Sequence, residues 1–347
     1  MLESAIQQYI DAEPPIDLVG LDPAVIRELL AQQIDRQFRR FGRPGPDVLS
    51  VNDHVVPVEG GQIVLRLYRP GAGRLPAHLL VHGGGWTSGS IDELVCDATA
   101  RTRAVAVGCV VAALEYRLAP EFPFPAAVYD TVAALRWLQS EAVELGIDAT
   151  DISVGGASAG ANLLVAALLA APDIAVVGAV LEVPALDLTV ESVRKAISEQ
   201  DFPVSVEELL VAPRLYLRSP GDALLPMASP FLADDLSWLP PTQILTAELD
   251  PLRREGELFA ERLRAAGVPA EATRYRGAVH GSAILTRSWP TARRWNDDII
   301  VGLRVMHHRE PPTADGSSAE GRDGRSSVSA PELGAPGTAE AVDRGRT

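Results

Sequence analysis

Short apolar runs alternate along most of the chain with longer stretches of helical spacing, and this alternation constrains the fold more than any other feature. Wholly apolar strands of this kind, separated by amphipathic helices, are typical of a mostly parallel sheet whose two faces are both covered. The sequence therefore predicts an α/β fold. The apolar runs occupy residues 78–81, 109–114, 152–154, 175–181, 243–246 and 272–275.

Two segments precede this pattern. Residues 1–46 have helix-like apolar spacing and predict helices. Residues 48–69 alternate with period two on either side of Gly60-Gly61, which predicts a hairpin. Pro57 has no N–H for a strand ladder, so the first arm of this hairpin is expected at an edge of the sheet.

Two later segments also depart from the alternation. Residues 190–217 interrupt it and predict inserted helices. Residues 309–347 are rich in Pro, Gly, Ser and Ala and contain little that could anchor them in a core, so they are predicted to be a disordered tail.

Composition narrows the class of partner. The 347 residues contain 31 basic and 46 acidic side chains, for a net charge of −15. Such a surface should repel phosphate backbones and anionic bilayers, so no nucleic-acid partner is expected. No secretory signal, membrane span or metal-ligand spacing is evident, which predicts a cytoplasmic protein without a metal. The sequence leaves a homodimer open.

Residues 156–160 read Gly-Ala-Ser-Ala-Gly and form the strongest local motif. They follow a strand candidate and open an apolar helix. A serine at such a turn exposes its Oγ, and the N–H of the next residue points into the same space. The motif predicts Ser158 as a nucleophile and Ala159 as a hydrogen-bond donor. A close crossing of helix and strand, made of small residues, is the alternative.

Residues 82–86 read His-Gly-Gly-Gly-Trp and directly follow a strand candidate. Successive glycines leave backbone N–H groups unshielded, so Gly83 and Gly84 can donate to a developing oxyanion. A plain glycine-rich turn and a phosphate loop are the alternatives, but the spacing of a phosphate loop is absent. His82 is expected to brace the loop rather than act as a base.

An activated serine needs a base, and that base needs an orienting acceptor. His280 follows the strand candidate at 272–275, where an open α/β sheet places reactive groups. Asp250 follows the strand candidate at 243–246, although a helix N-cap is its alternative role. The other histidines lie in the hairpin, in a strand, in the glycine loop and, as an expected solvated pair, beside the tail: His54, His78, His82, His307 and His308.

With these residues in view, the chain resembles the hormone-sensitive-lipase-like family of α/β-hydrolases, in its bacterial carboxylesterase branch. The resemblance implies an eight-stranded, mostly parallel sheet with helices on both faces and a helical cap. The matching segments are 82–86, 116–121 (Tyr-Arg-Leu-Ala-Pro-Glu), 156–160, 228–230 (Ala-Ser-Pro), 239–241 (Leu-Pro-Pro) and 250–253 (Asp-Pro-Leu-Arg).

The resemblance also implies roles for the site residues and a division of the chain. Ser158 is the implied nucleophile, His280 the base and Asp250 the acid that orients the base. The implied oxyanion donors are Gly83, Gly84 and Ala159. No cofactor is implied. The division is a cap segment at 1–45, a catalytic domain at 46–308 with a cap insertion at about 190–217, and the tail.

Three positions depart from the family pattern. Ala157 replaces an acidic residue or Thr, Ala161 replaces a glycine, and Ser282 replaces a common aromatic residue. These departures affect the turn around Ser158 (the elbow) and the substrate pocket, whereas Ser158, His280 and Asp250 (the triad) are all present. The residues expected to line the substrate pocket are Trp86, Phe38, Phe41 and Ser282, with a packed core indole as the alternative for Trp86.

The predicted function is a serine esterase that hydrolyses esters of short- to medium-chain acids, with a small-molecule ester as substrate. Two alternatives remain open at this stage. One is a specialised triad enzyme acting on an amide, a lactone or a biosynthetic intermediate. The other is a member of the fold that binds small ligands without catalysis.

Overall fold

A computed structural model describes residues 2–13, 16, 20–203 and 206–308. The predicted tail at 309–347 lies outside these described residues. The strands in this part of the chain are β1 (Ser50–Val58), β2 (Gly61–Arg69), β3 (Leu75–Val81), β4 (Val110–Glu115), β5 (Ile147–Ala157), β6 (Gly178–Glu182), β7 (Thr242–Leu249) and β8 (Ala270–Val279).

The helices lie in the N-terminal segment, between the parallel strands, in the segment 190–217 predicted as inserted helices, and after β8. They are α1 (Ser4–Ile10), α2 (Pro23–Phe41), α3 (Leu94–Val107), α4 (Ala126–Ser140), α5 (Ala159–Ala170), α6 (Glu191–Glu199), α7 (Glu207–Tyr216), α8 (Arg253–Ala265) and α9 (Pro290–Met306). Helix α2 begins at Pro23, which occupies its first turn, and the Asp22 side chain caps it by accepting a hydrogen bond from the N–H of Ala24.

The eight strands form one sheet in the order β1-β2-β4-β3-β5-β6-β7-β8. Strands β1 and β2 form the expected antiparallel hairpin, with Pro57 on the edge strand, and β2 also runs antiparallel to β4. All remaining neighbours are parallel. The predicted α/β-hydrolase fold with a mostly parallel eight-stranded sheet is confirmed.

Two apolar cores lie on the two faces of this sheet. Helices α4, α5 and α8 contribute to one core, and α1, α3 and α9 contribute to the other. Helix α5 is apolar around nearly its whole circumference, as expected for a helix packed on all sides. This arrangement leaves the carboxyl ends of β3, β5, β7 and β8 at a common edge of the sheet, where the candidate site lies.

Within the described residues, no helix has both the length and the apolar character needed to cross a bilayer. The same residues contain no group of three or more His, Cys, Asp or Glu side chains that could hold a metal ion.

Candidate active site

Ser158 is the single residue between β5 and α5, and its backbone has a conformation that L-residues rarely adopt. Its φ and ψ are 54° and −115°, and its backbone N–H donates a hydrogen bond of 2.8 Å to the carbonyl oxygen of Glu182 on β6. Strain of this kind persists only where the surroundings enforce it, and it is characteristic of a nucleophile elbow. The side chain is partly exposed, so it can meet a substrate.

The glycines of the elbow are required by close approach. A Cβ on Gly160 would overlap the carbonyl oxygens of Val81 and His82, and a Cβ on Gly156 would lie 2.7 Å from the carbonyl carbon of Gly160. Side chains at these two positions would push the elbow away from the end of β3. The small residues therefore bring Ser158 against the glycine loop that follows β3.

The glycine loop offers hydrogen-bond donors beside Ser158. A Cβ built on Gly83 would lie 3.5 Å from the Cβ of Ser158. Within the described residues, the N–H groups of Gly83 and Gly84 have no acceptor. The N–H of Ala159 belongs to the first turn of α5, where no intrahelical acceptor exists. The structure thus brings the three predicted donors together around the serine.

The carbonyl oxygens of Gly83 and Gly84 in the same loop both have hydrogen-bond partners. The Gly84 carbonyl oxygen accepts hydrogen bonds from the N–H of Thr87 at 3.1 Å and from the N–H and Oγ of Ser88, each at 2.9 Å. His82 places its Nδ1 2.7 Å from the carbonyl oxygen of Gly83, and its ring stacks on Tyr116 with centroids 4.3 Å apart. Burial lowers the pKa of His82, which favours a neutral brace as the sequence predicts.

His280 and Asp250 form the pair that the sequence predicts. Each follows the carboxyl end of its strand, and His280 Nδ1 lies 2.7 Å from Asp250 Oδ2. The other oxygen, Oδ1, accepts a hydrogen bond of 2.9 Å from the N–H of Leu252. The Asp250 side chain is fully buried, whereas that of His280 is 26% exposed. A carboxylate held in this way fixes the imidazole so that proton exchange falls to Nε2.

Ser158 and His280 line the same cavity, which has a volume of about 150 Å³. Most of the other lining side chains are apolar, and several come from α6 and α7 of the segment between β6 and β7. A cavity of this volume holds a molecule about the size of benzene. The described lining residues are Gly84, Gly85, Trp86, Ser158, Ala185, Asp187, Leu188, Val190, Val193, Leu209, Ala212, Pro213, Leu252 and His280.

Only one of the four residues expected in the pocket is found there. Trp86 lines the cavity and stacks on Tyr216 of α7 with ring centroids 4.8 Å apart. Phe38 and Phe41 do not line this cavity, and Phe41 is instead buried in a core, with its ring centroid 6.1 Å from that of Tyr9. Ser282 is also elsewhere, because it is buried and its Oγ bonds to the backbone of Val279.

One wall of the cavity depends on the buried carboxyl group of Glu255 on α8. Glu255 Oε2 accepts hydrogen bonds from the N–H of Leu186 at 2.7 Å and of Asp187 at 3.1 Å, and Oε1 accepts one from Ser192. Burial raises the pKa of Glu255 to about 8, against the hydrogen bonds from Ser192 and Leu186.

A second Ser-His-Asp arrangement lies inside the molecule. Ser153 Oγ is 2.9 Å from His307 Nε2, and His307 Nδ1 is 2.5 Å from Asp151 Oδ1. Ser153 Oγ also lies 2.9 Å from His78 Nδ1. This triad-like arrangement has no access for substrate, since Ser153 is fully buried and His307 is 3% exposed. The expectation of a solvated His307 is therefore wrong, while His308 is exposed.

Comparisons with known proteins agree with this geometry. A family model described as alpha/beta hydrolase fold matches residues 78–284. The carboxylic ester hydrolase LipN of Mycobacterium tuberculosis is 36% identical over 318 residues, which cover 88% of this chain and 83% of the relative. The chain belongs to the α/β-hydrolase family. Within it, the resemblance to the hormone-sensitive-lipase-like carboxylesterases is confirmed.

Other relatives of this family carry related names. An arylesterase of Saccharolobus solfataricus is 36% identical over 261 residues, covering 74% of this chain and 81% of the relative. The solved structure of a Pyrobaculum calidifontis esterase superposes with a TM-score of 0.81 at 34% identity, covering 88% of this chain and 99% of that chain. The chain is accordingly a carboxylesterase of the serine hydrolase class.

Proposed function

We propose that the protein hydrolyses esters of short- to medium-chain carboxylic acids, with Ser158 as nucleophile, His280 as general base and Asp250 as the residue that orients His280. The observation that carries this assignment is that Ser158 and His280 line one cavity while Asp250 holds the far side of the imidazole. The buried Ser153 cannot meet an ester in this way.

The reaction proceeds by two acyl transfers. His280 accepts the Ser158 proton as Oγ attacks the ester carbonyl carbon, and the negative charge that develops on the carbonyl oxygen is stabilised by N–H groups of Gly83, Gly84 and Ala159. His280 then protonates the departing alkoxide, which leaves as an alcohol. Water loses a proton to His280 and attacks the acyl carbon. As the bond from that carbon to Ser158 Oγ breaks, His280 returns the proton to Oγ, so that the acid is released and both residues are regenerated.

The size and lining of the cavity favour a substrate with a small acyl group. Its volume of about 150 Å³ and its mostly apolar lining suit a short hydrocarbon chain. Leu209, Ala212 and Pro213 of α7 and Val193 of α6 close it on one side. We assign these two inserted helices as a cap that limits the length of the acyl chain.

The negative charge in the cavity favours neutral or cationic esters over anionic esters as substrates. Asp187 lines the cavity, and its Oδ1 accepts hydrogen bonds from the N–H of Thr189 at 3.0 Å and from Thr189 Oγ1 at 2.6 Å. No arginine or lysine among the described residues forms an ion pair with this carboxylate. A substrate carboxylate in the same cavity would therefore meet an unneutralised negative charge.

Steady-state kinetics on p-nitrophenyl butyrate test the assignment. Ser158→Ala and His280→Ala should each lower kcat by about 10³-fold or more, because either change disables the acyl transfer. Asp250→Asn should lower kcat by about 10⁴-fold, because the amide favours the wrong tautomer of His280. Retention of near-normal turnover by folded Ser158→Ala would refute the proposal.

A further inference from the structure

We propose that Arg27 is a positioning residue for the glycine loop, so that the N-terminal helix α2 takes part in holding the oxyanion donors in place. The proposal rests on the oxyanion role proposed above for this loop. Arg27 is distant in sequence from the residues of the active site. It acts on the reaction through the backbone of the loop that contains Gly83 and Gly84.

The contacts of Arg27 reach two loops at once. Its Nε donates a hydrogen bond of 2.8 Å to the carbonyl oxygen of Thr87, and its Nη2 donates one of 2.8 Å to the carbonyl oxygen of Ala119. The carboxylate of Glu121 accepts from Nη1 at 2.9 Å and from Nη2 at 2.5 Å. One planar guanidinium with several donors is suited to such a fixed set of acceptors.

The two carbonyls that Arg27 holds are linked to the oxyanion loop. Thr87 donates its N–H to the carbonyl oxygen of Gly84 at 3.1 Å, and Ala119 donates its N–H to the carbonyl oxygen of Trp86 at 2.9 Å. Arg27 therefore fixes a small hydrogen-bonded unit in which Gly84 and Trp86 are the members that line the cavity.

The backbone of this unit is strained at Trp86, so hydrogen bonds from outside the loop matter for holding it. Gly84, Gly85 and Trp86 all have positive φ, at 112°, 57° and 62°. The conformation of Trp86 is rare for a residue with a side chain, and it persists only where surrounding contacts enforce it. Charge-assisted hydrogen bonds from a guanidinium are stronger than neutral ones, so Arg27 is a substantial part of that enforcement.

Other basic residues of α2 do not contact this unit. Arg36 pairs with Glu13 at 3.0 Å, within the N-terminal segment, and its side chain is 50% exposed. Arg27 is only 24% exposed. The helix thus offers a matched control, since Arg36→Met removes an ion pair from α2 without touching the glycine loop.

The expected effect is on the chemical step. Removal of one oxyanion donor lowers kcat by about 10²- to 10³-fold, and a displacement of about 1 Å at a reacting group lowers rate by about 10²-fold. Arg27→Met leaves the donors present but less well held, so kcat should fall by about 10- to 100-fold with a smaller change in KM. Arg36→Met should leave both constants within about twofold of wild type.

The experiment compares Arg27→Met, Arg27→Lys, Glu121→Gln and Arg36→Met with wild type. For each variant, kcat and KM on p-nitrophenyl butyrate are measured well below its melting temperature, together with the inhibition constant of a trifluoromethyl ketone, which forms an oxyanion on the serine. Arg27→Met should weaken that inhibitor about as much as it lowers kcat, whereas a merely structural residue would lower the melting temperature alone. Arg27→Lys should recover part of kcat, and Glu121→Gln should lose less than Arg27→Met.

Unchanged kcat and inhibition in Arg27→Met, or losses no larger than those of Arg36→Met, would overturn the proposal. Arg27→Lys decides the question if Arg27→Met does not fold, because wild-type kcat and inhibition in the lysine variant would equally overturn it. These failures are distinct from failure of the proposed function, which would appear as turnover by Ser158→Ala.

Discussion

The backbone N–H of Ser158 donates to the carbonyl oxygen of Glu182 at 2.8 Å, and this hydrogen bond anchors the elbow on β6. The side chain of Glu182 extends into the interior, where Oε1 accepts from Arg103 at 2.5 Å and Oε2 accepts from Trp295 Nε1 at 2.8 Å. Glu182 therefore connects the candidate nucleophile, through its backbone, with a buried ion pair between α3 and β6, through its side chain.

Arg103→Met should destabilise the protein strongly, because it leaves the Glu182 carboxylate buried without its cation. The free energy of unfolding is expected to fall by about 3–5 kcal/mol. Arg136→Met is the matched control, because Arg136 and Asp173 are paired at the surface, with side chains 59% and 69% exposed. That change should stay within about 1 kcal/mol. Urea unfolding measures the free energy of unfolding of both variants. Equal losses in the two would show that the buried pair contributes no more to stability than the surface pair.

The cap helices should set the preferred acyl length. Leu209→Ala enlarges the cavity and should shift the maximum of kcat/KM in a p-nitrophenyl ester series towards longer acids. Ala212→Leu narrows the cavity beside Gly85 and should shift the maximum towards acetate. One methylene in an apolar pocket is worth about 1–3 kcal/mol, or about 10- to 200-fold in kcat/KM. Unchanged profiles in both variants would show that the acyl chain binds elsewhere.

The carboxylate of Asp187 should discriminate among esters by charge. Asp187→Asn keeps the oxygen that accepts from Thr189 and removes only the negative charge. The ratio of kcat/KM for a neutral butyrate ester to that for a hemisuccinate ester should be large in wild type and should fall by about tenfold in the variant. An unchanged ratio would mean that the Asp187 charge does not reach the substrate.

Glu255 should make stability depend on pH. Burial raises its pKa from the ordinary 4.5 to about 8, so between these values the folded state holds a proton that the unfolded chain has released. The Glu255 contribution to the free energy of unfolding therefore falls as pH rises through this window, by up to about 1.4 kcal/mol per pH unit.

Chemical unfolding from pH 5 to pH 8 measures this effect. Glu255→Gln should remove that component of the slope, while Glu261→Gln, an exposed change on the same helix, should leave the slope as in wild type. Identical slopes in wild type and Glu255→Gln would show that the carboxyl has no raised pKa.

Local sequence patterns predicted much of the fold and the site. The alternation of apolar runs predicted the sheet because parallel strands buried on both faces must be apolar throughout. The glycines at 156 and 160 were informative because their need is local: each lies where the backbone itself passes too close for a Cβ. The pairing of His280 with Asp250 at 2.7 Å could be anticipated because strand ends at one edge of a sheet converge.

Contacts between distant parts of the chain were not predictable in this way. His307 follows a helix next to a polar tail, and nothing nearby in sequence indicates that it enters the core to meet Ser153, which lies 154 positions earlier. Phe38 and Phe41 are apolar residues of an N-terminal helix, but the sequence did not show whether they would face the cavity or the core. Pairing over such distances depends on how the helices pack.

Covalent labelling distinguishes the two Ser-His-Asp arrangements found among the described residues, because Ser158 lines the cavity whereas Ser153 is fully buried. Intact mass is measured after treatment with a fluorophosphonate on wild type, Ser158→Ala and Ser153→Ala, each shown to be folded by circular dichroism. One adduct is expected on wild type and on Ser153→Ala, and none on Ser158→Ala. An adduct that persists on Ser158→Ala, or its absence from folded wild type, would contradict the assignment of Ser158 as the nucleophile.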